Sequence, residues 1–169
     1  MISVNNHIKE SGMDFGELDE NVFYIEEANI YKNKLNPTGI RMVEFLKIKP
    51  KGNKEKMLVI EAKTSFPKEF NFALDEIAEK LYAAILLIVS IYHKRHKGYF
   101  EELPKRFREE DVFSMEYVFL LIIRNHKDDW LEPIKVKLRE KLNMINKIWR
   151  FDDVLVLNER LAKKKKIII

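Results

Sequence analysis

Residues 57–67, with the sequence MLVIEAKTSFP, place a carboxylate and an ammonium group two positions apart directly after an apolar run. The apolar residues 57–60 predict a buried β-strand. Side chains at positions i and i+2 of a strand lie on the same face, so Glu61 and Lys63 are expected to project together near the strand end. Because an unpaired charge beside an apolar core is costly, the pair indicates either a strand-end ion pair, worth about 0–1 kcal/mol when exposed, or a functional site.

The composition is typical of one compact folded domain. The chain has 169 residues, of which 46% are hydrophobic and 34% are charged, and this balance favours a single domain over residues 1–169. The net charge of +4 permits a polyanionic partner without requiring one. Because the sequence contains no cysteine, it excludes a disulfide framework and a cysteine-based zinc site, and it fits a cytoplasmic location.

Two segments bear on targeting. Residues 1–20 are polar and lack the basic and apolar regions of a signal peptide, and we expect them to be loosely ordered. The longest apolar run, residues 81–92, would form a helix of about 18 Å, whereas a membrane span takes roughly 20 residues. The run therefore predicts a buried core helix and no membrane association.

The remaining patterns predict the element order β-β-β-α-β-α-β. Strands are predicted over residues 21–28, 41–49, 57–64, 116–124 and 153–157, and helices over residues 71–94 and 128–149. The second and third strands are joined by the polar loop 50–56, so they are expected to be antiparallel neighbours. Hairpin strands followed by strand–helix alternation predict an α/β or α+β fold, with a mixed central sheet flanked by helices.

A second acidic residue is expected beside the Glu61–Lys63 pair. Glu44 lies between Val43 and Phe45 on the alternating strand 41–49, and the hairpin would bring it opposite Glu61 and Lys63. Two carboxylates and one ammonium group suit Mg²⁺-dependent phosphodiester hydrolysis. Carboxylates, water and phosphate fill the octahedral shell of Mg²⁺, and a lysine can orient or deprotonate the attacking water.

The segments VEFLKI (43–48) and LVIEAKTS (58–65), followed by a helix and a strand, resemble the nuclease core of the PD-(D/E)XK, or restriction-endonuclease-like, superfamily. The resemblance covers roughly residues 21–124, with residues 128–158 completing the fold, and implies an α-β-β-β-α-β core. It implies that Glu44, Glu61 and Lys63 are catalytic, and that Glu44, Glu61 and the Ala62 carbonyl hold Mg²⁺ or Mn²⁺. The implied activity is that of a nuclease or phosphodiesterase acting on DNA in preference to RNA.

The chain departs from the family pattern at three places. The second-strand acid is Glu44, where aspartate is more frequent, and no proline–acid dipeptide precedes it. The acid of the family's first helix has no clear counterpart; Glu26 or Glu27 could replace it, and we select Glu27 as a fourth catalytic residue. These departures favour an alternative, a catalytically inactive nuclease-fold module for binding or assembly, with Trp149 and residues 167–169 available to a homodimer interface.

Other residues receive weaker assignments. Basic residues that follow the long predicted helix either contact a nucleic-acid backbone or form a solvated helix end. The residues assigned to nucleic-acid binding are Lys94, Arg95, Lys97, Lys105, Arg106 and Arg108. The lysine run 163–166 is interpreted as a frayed tail, Asn125 and His126 as turn residues, and Trp130 as a core residue of a helix without a binding role.

Overall fold

The computed structural model of the chain describes residues 6–169, without the side chain of Lys51. Its strands are β1 (His7–Glu10), β2 (Met13–Glu17), β3 (Val22–Tyr24), β4 (Phe45–Lys51), β5 (Lys54–Lys63), β6 (Glu116–Ile123) and β7 (Asp153–Asn158). Its α-helices are α1 (Asn71–Tyr92), α2 (Lys105–Glu109), α3 (Leu131–Lys141), α4 (Asn143–Trp149) and α5 (Glu159–Lys164). Short 3-10 or π turns occupy Ile25–Glu27, Tyr31–Leu35, Asn36–Thr38 and Asp128–Trp130.

A five-stranded mixed sheet forms the centre of the fold, in the order β3-β4-β5-β6-β7. The pairs β3–β4 and β4–β5 are antiparallel, whereas β5–β6 and β6–β7 are parallel. Parallel neighbours need a crossover connection, which α1 supplies between β5 and β6 and α3 with α4 supply between β6 and β7. The predicted mixed α/β fold class is confirmed.

The sheet has an apolar cluster on each face, because its central strands are apolar at consecutive positions. The cluster on the side of α1 includes Met57, Val59, Phe119 and Leu121. The opposite cluster includes Ile60, Leu120, Ile122, Phe15 and Ile168, so the hairpin β1–β2 and the end of the chain cover that face. In β5 the alternation that places Met57 and Val59 toward α1 also places Glu61 on that face.

Helix α1 follows the apolar spacing of its sequence closely and ends two residues before the predicted boundary at residue 94. Its buried positions include Leu74, Ile77, Leu81, Ala84 and Ile88, and this stripe packs on the sheet. Within residues 6–169, none of the helices combines the length and the apolar character that a membrane crossing requires.

The expectation of a loosely ordered N-terminus is wrong for residues 7–17, which form the hairpin β1–β2; residues 1–5 lie outside the described residues. Ser11 and Gly12 form its turn with φ of 50° and 75°, a region that favours glycine. Ile8, Met13 and Phe15 are buried, and the ring of Phe15 lies 5.1 Å from that of Phe45. Burial against the sheet therefore orders a segment whose own sequence is mostly polar.

Several element boundaries also differ from the prediction, including that of β4, which begins at Phe45 instead of residue 41 and leaves Glu44 just outside the strand. The first predicted strand ends at Tyr24, where Ile25–Glu27 form a 3-10 turn. The predicted helix 128–149 is divided into α3 and α4 at Leu142, whose ψ of 3° leaves the helical range. The lysine run is not a frayed tail, because the Asn158 side chain caps α5 at the Leu161 amide (3.0 Å), and the Ile169 amide donates to the Asp14 carbonyl (2.9 Å).

Candidate active site

The backbone places Glu44 and Glu61 side by side. Phe45 pairs with Ile60 in the antiparallel ladder of β4 and β5, and the Glu44 amide donates to the Ile60 carbonyl at 3.1 Å. The Glu44 backbone therefore lies beside Ile60, the residue that precedes Glu61, and the negative charge of Glu61 contributes to the raised pKa of Glu44. The Glu44 carbonyl accepts from the Ile25 amide on its other side (3.1 Å), so both flanking segments fix its backbone.

Glu61 is a fully buried carboxylate held by two lysines. The Nζ atoms of Lys80 and Lys63 lie 2.7 and 3.1 Å from the same oxygen, Oε1. Burial lowers the pKa of Lys80, but the charge and hydrogen bond of Glu61, together with the charges of Glu44 and Glu26, raise its pKa overall. Within the described part of the chain, the buried Oε2 atom of Glu61 has no hydrogen-bond partner.

Glu44 is also buried, with 7% of its surface exposed. Burial, together with the negative charges of Glu61, Glu26 and Glu10, raises its pKa to about 9. Its Oε2 atom is buried and lacks a hydrogen-bond partner among residues 6–169. Such an unsatisfied oxygen costs free energy unless a proton or a cation binds it.

Two further carboxylates complete the cluster. Glu10, Glu26 and Glu44 each present an oxygen within 4.8 Å of the other two, and they come from β1, from the Ile25–Glu27 turn and from the residue before β4. The Tyr24 hydroxyl donates a hydrogen bond to Glu10 Oε1. Burial and the charges of neighbouring carboxylates, Glu26 first among them, raise the pKa of Glu10 to about 7.

This set of donors fits a hard divalent cation. Its ligand atoms are all carboxylate oxygens, which Mg²⁺ and Mn²⁺ prefer to nitrogen or sulfur. A positive charge at this position would give a partner to the buried oxygens of Glu44 and Glu61 that have none within residues 6–169. It would also offset the repulsion that, together with burial as the larger cause, raises the pKa of Glu10 and Glu44.

The structure thus brings together Glu44, Glu61 and Lys63, the three residues with which the sequence argument began. It does not bring Glu27 into the cluster, since this exposed side chain pairs with Lys32 instead, and the neighbouring Glu26 lies there in its place. The Ala62 carbonyl, an expected metal ligand, accepts a hydrogen bond from the Ser11 hydroxyl at 3.0 Å. One lone pair of that carbonyl remains for another partner.

The basic residues assigned to nucleic-acid binding are not gathered at the carboxylates. Arg106 forms an ion pair with Glu55, which precedes Glu61 on β5 by a distance of about 20 Å along the strand. Lys105 lies 4.0 Å from Glu109, and the Arg108 side chain donates to the Leu103 carbonyl at 3.0 Å. The other members, Lys94, Arg95 and Lys97, are exposed beyond the end of α1.

Sequence reasoning missed Lys80 and Glu10. Lys80 had a detectable signal, because it follows Ile77 by three positions and precedes Ala84 by four, on the apolar stripe of α1. An ammonium group on such a stripe requires a buried partner, and Glu61 is that partner. Glu10 had no detectable signal in the sequence, because the segment that carries it is ordered by tertiary packing.

A scan of the chain against protein-family models matches none, and neither the curated proteins nor the solved structures include a significant match. The function of this site is therefore inferred from its geometry.

Proposed function

We propose that the chain is a metal-dependent nuclease or phosphodiesterase that acts on DNA in preference to RNA, in the cytoplasm. The observation that carries the proposal is the pair Glu44–Glu61, two buried carboxylates, one just before β4 and one near the end of the adjacent strand β5, each with one oxygen lacking a protein partner within residues 6–169. Lys63, next to Glu61 on the same face, supplies the ammonium group that the chemistry requires.

Each residue has a role in this proposal. Glu44, with Glu10 and Glu26, would hold Mg²⁺ or Mn²⁺, and Glu61 Oε2 and the Ala62 carbonyl are the additional oxygen donors nearby. When bound, the ion would neutralise phosphate charge and make water a better nucleophile. Lys63 is partly exposed, so its ammonium group can orient water and stabilise negative charge on phosphate.

Lys80 would act as a positioning residue for Glu61. It is buried and holds Oε1 at 2.7 Å, which leaves Oε2 as the oxygen available to other partners. Because both lysines bind the same oxygen, the carboxylate plane is fixed before any ligand arrives, and preorganised groups of this kind cost no rearrangement during the reaction.

The topology also supports a restriction-endonuclease-like core. Strands β3, β4 and β5 are sequential antiparallel neighbours, α1 follows, and β6 lies parallel to β5, as in the β-β-β-α-β part of that core. Glu44 immediately precedes the second of these strands and the E-x-K sequence ends the third. One departure is that a hairpin, and no α-helix, precedes β3 in the part of the chain from residue 6 onward; we accordingly assign the first acid to Glu26.

One observation favours a second function, an inactive nuclease-fold module for binding or assembly. Two ammonium groups contact the single carboxylate Glu61, so Glu61 is already neutralised without a metal ion. In that case we propose a homodimer, for which Ile169 is exposed whereas Ile168 is buried against the sheet.

Cleavage assays distinguish the two functions. Single-stranded, duplex and branched DNA, and single-stranded RNA, are incubated with the protein in Mg²⁺, Mn²⁺ or EDTA. We expect DNA cleavage that requires the metal and falls at least about 100-fold in Lys63→Gln, which removes the ammonium group while leaving the Glu61–Lys80 pair in place. Lys137→Gln is the matched control, because this exposed lysine pairs with Glu140 on α3.

Glu61→Gln is the second variant, and it is expected to lose cleavage completely and some stability, since Lys80 then lacks its anionic partner. Circular dichroism verifies that each variant is folded before its activity is compared. Failure of the wild-type protein to cleave any of these substrates with either metal would contradict the proposal and support the binding module.

A further inference from the structure

A second feature lies beyond the carboxyl ends of β5 and β6, a cavity of about 320 Å³ between the loops that leave these strands. Phe66 and Phe70 contribute to one side, from the loop between β5 and α1, and His126 and Trp130 contribute to the other, from the loop between β6 and α3. Its lining is mostly aromatic and apolar, which is typical of sites for small planar molecules.

The cavity opens at the same edge of the sheet as the carboxylate cluster. The Lys63 carbonyl accepts from the Arg124 amide (2.8 Å) and the Thr64 carbonyl from the Asn125 amide (3.0 Å), so the two strands stay together past the site and then diverge around the cavity. Phe66 follows Lys63 by three residues, a separation of at most about 11 Å.

Trp130 does not have the core position that its sequence spacing predicts. Half of its surface, 50%, is exposed, and its ring contacts that of His126 edge-on at 5.4 Å. The Lys127 ammonium group lies 5.1 Å from its centroid. An exposed indole beside a cation suits stacking against a base, which every nucleobase offers through its flat face.

His126, one of the lining residues, carries a polar atom without a protein partner in the described residues. Its Nε2 atom is buried and has no hydrogen-bond partner in the described residues. Burial lowers the pKa of His126, so the ring is neutral at pH 7, and Nε2 either accepts or donates a hydrogen bond according to the tautomer. The edges of the bases carry groups of both kinds.

The loop that carries His126 is fixed before any ligand binds. The Asn158 side chain is buried at the end of β7, and it donates to the His126 carbonyl at 3.0 Å and to a carboxylate oxygen of Asp128. Arg160 pairs with the same Asp128 carboxylate. A cavity with a rigid wall loses little conformational entropy on binding.

The charge at the rim is complementary to a polyanion. Lys68 lines the cavity and Lys127 lies above Trp130, while Asp128, in the same loop, is already neutralised by Arg160. Cations beside an aromatic cavity fit a ligand that joins a planar ring to a phosphate.

We propose that this cavity binds an unpaired nucleobase, from a single-stranded or locally opened segment of a nucleic acid whose backbone lies at the carboxylate cluster. The inference rests on the proposed function for the class of ligand, and it adds that the substrate is engaged through an unstacked base. Trp130 stacks on the base, His126 Nε2 bonds its edge, and Lys68 and Lys127 face the adjoining phosphates.

Fluorescence of a protein with a single tryptophan tests the proposal directly. Trp149→Phe leaves Trp130 as the sole emitter of the two tryptophans. This protein is titrated in EDTA, where no metal-dependent cleavage occurs, with a mixed-sequence single-stranded DNA 12-mer and with an abasic 12-mer of equal charge. We expect the base-containing strand to quench Trp130 and to bind about 10-fold more tightly than the abasic strand.

Two further variants, measured with a labelled 12-mer by anisotropy, assign the effect to the cavity. Trp130→Ala is expected to weaken binding about 10-fold, and His126→Phe, which keeps a ring and removes Nε2, about 3-fold. The control is Phe72→Ala, which removes an aromatic ring that is 81% exposed on α1, outside the cavity, and is expected to change nothing.

Equal quenching by the two strands, absence of quenching, or equal affinities of the Trp130→Ala and Phe72→Ala proteins would overturn the proposal. These results are distinguishable from failure of the proposed function. If the protein cleaves nothing but binds bases through Trp130, the base-binding cavity is supported and the nuclease function is contradicted. If the protein cleaves DNA but Trp130→Ala binds as Phe72→Ala does, the nuclease function is supported and the base-binding cavity is contradicted.

Discussion

At the scale of single residues, the site consists of buried carboxylates whose burial lowers the stability of the protein when no ligand is bound. Glu44 is buried beside Glu61 and near Glu10 and Glu26, and the surrounding negative charge and burial raise its pKa to about 9. An ordinary surface acid has no such cost. In the proposed function, the protein gives up stability to hold a metal ligand in position.

The raised pKa of Glu44 predicts how stability depends on pH in the metal-free protein. Below pH 4.5, the ordinary value, the carboxyl is protonated in both the folded and the unfolded chain. Between this value and about 9 the unfolded chain loses the proton more readily, so Glu44 lowers the free energy of unfolding as pH rises. Glu44→Gln should remove this dependence and be more stable than the wild type at pH 8, by about 1–3 kcal/mol.

Thermal or urea unfolding in EDTA at pH 4 and at pH 8 measures this effect. The two proteins should be nearly equal at pH 4, and the control Glu140→Gln, at an exposed ion pair on α3, should differ little from the wild type at either pH. A Glu44→Gln protein less stable than the wild type at pH 8 would show that Glu44 is ionised and well paired in the folded state.

At the scale of elements, Asn158, the last residue of β7, connects helix α5 with the loop that follows β6. Its buried side chain caps α5 through the Leu161 amide and binds the His126 carbonyl and the Asp128 carboxylate. Asn158→Ala should lower the free energy of unfolding by about 2–3 kcal/mol, since it removes an N-cap and the side-chain hydrogen bonds to the His126 carbonyl and the Asp128 carboxylate. Asn143→Ala, at an exposed position that begins α4, should cost less than about 1 kcal/mol, and equal losses in the two variants would contradict this role.

The elements that could be predicted from the sequence are those whose own pattern of apolar residues determines their secondary structure. Strand β5 and helix α1 follow from apolar runs and spacing, and the predicted hairpin alone placed Glu44 across from the region of Glu61 and Lys63. The hairpin β1–β2 could not be predicted, because its apolar residues Ile8, Met13 and Phe15 are few and are separated by polar residues. Their common role is visible only in the folded protein, where all three are buried against the sheet. Glu10 was missed for the same reason, whereas Lys80 could have been found as the charge on the stripe of α1.

At the scale of the whole molecule, two opposite edges of the central sheet differ in the side chains that they carry. The end where β5 and β6 terminate carries the carboxylates and the aromatic cavity. At the opposite edge of the sheet, Arg106 is paired with Glu55 and Glu110. This guanidinium group on α2 therefore serves ion pairs within the protein and not a nucleic-acid backbone. We accordingly expect a polyanion to approach at the first end, near Lys63, Lys68 and Lys127, where an electrostatic contribution would depend on salt.

We propose that the carboxylates of Glu44, Glu26 and Glu10 hold one divalent cation, and calorimetric titration measures this binding. Mn²⁺ and Mg²⁺ are titrated into the wild type, Glu44→Gln, Glu26→Gln and Glu27→Gln, each verified as folded. We expect one site in the wild type, at least about 10-fold weaker binding in the first two variants, and wild-type binding in Glu27→Gln, whose carboxylate pairs with Lys32 outside the cluster. Absence of binding to the wild type, repeated with single-stranded DNA present, or equal loss in Glu26→Gln and Glu27→Gln, would contradict it.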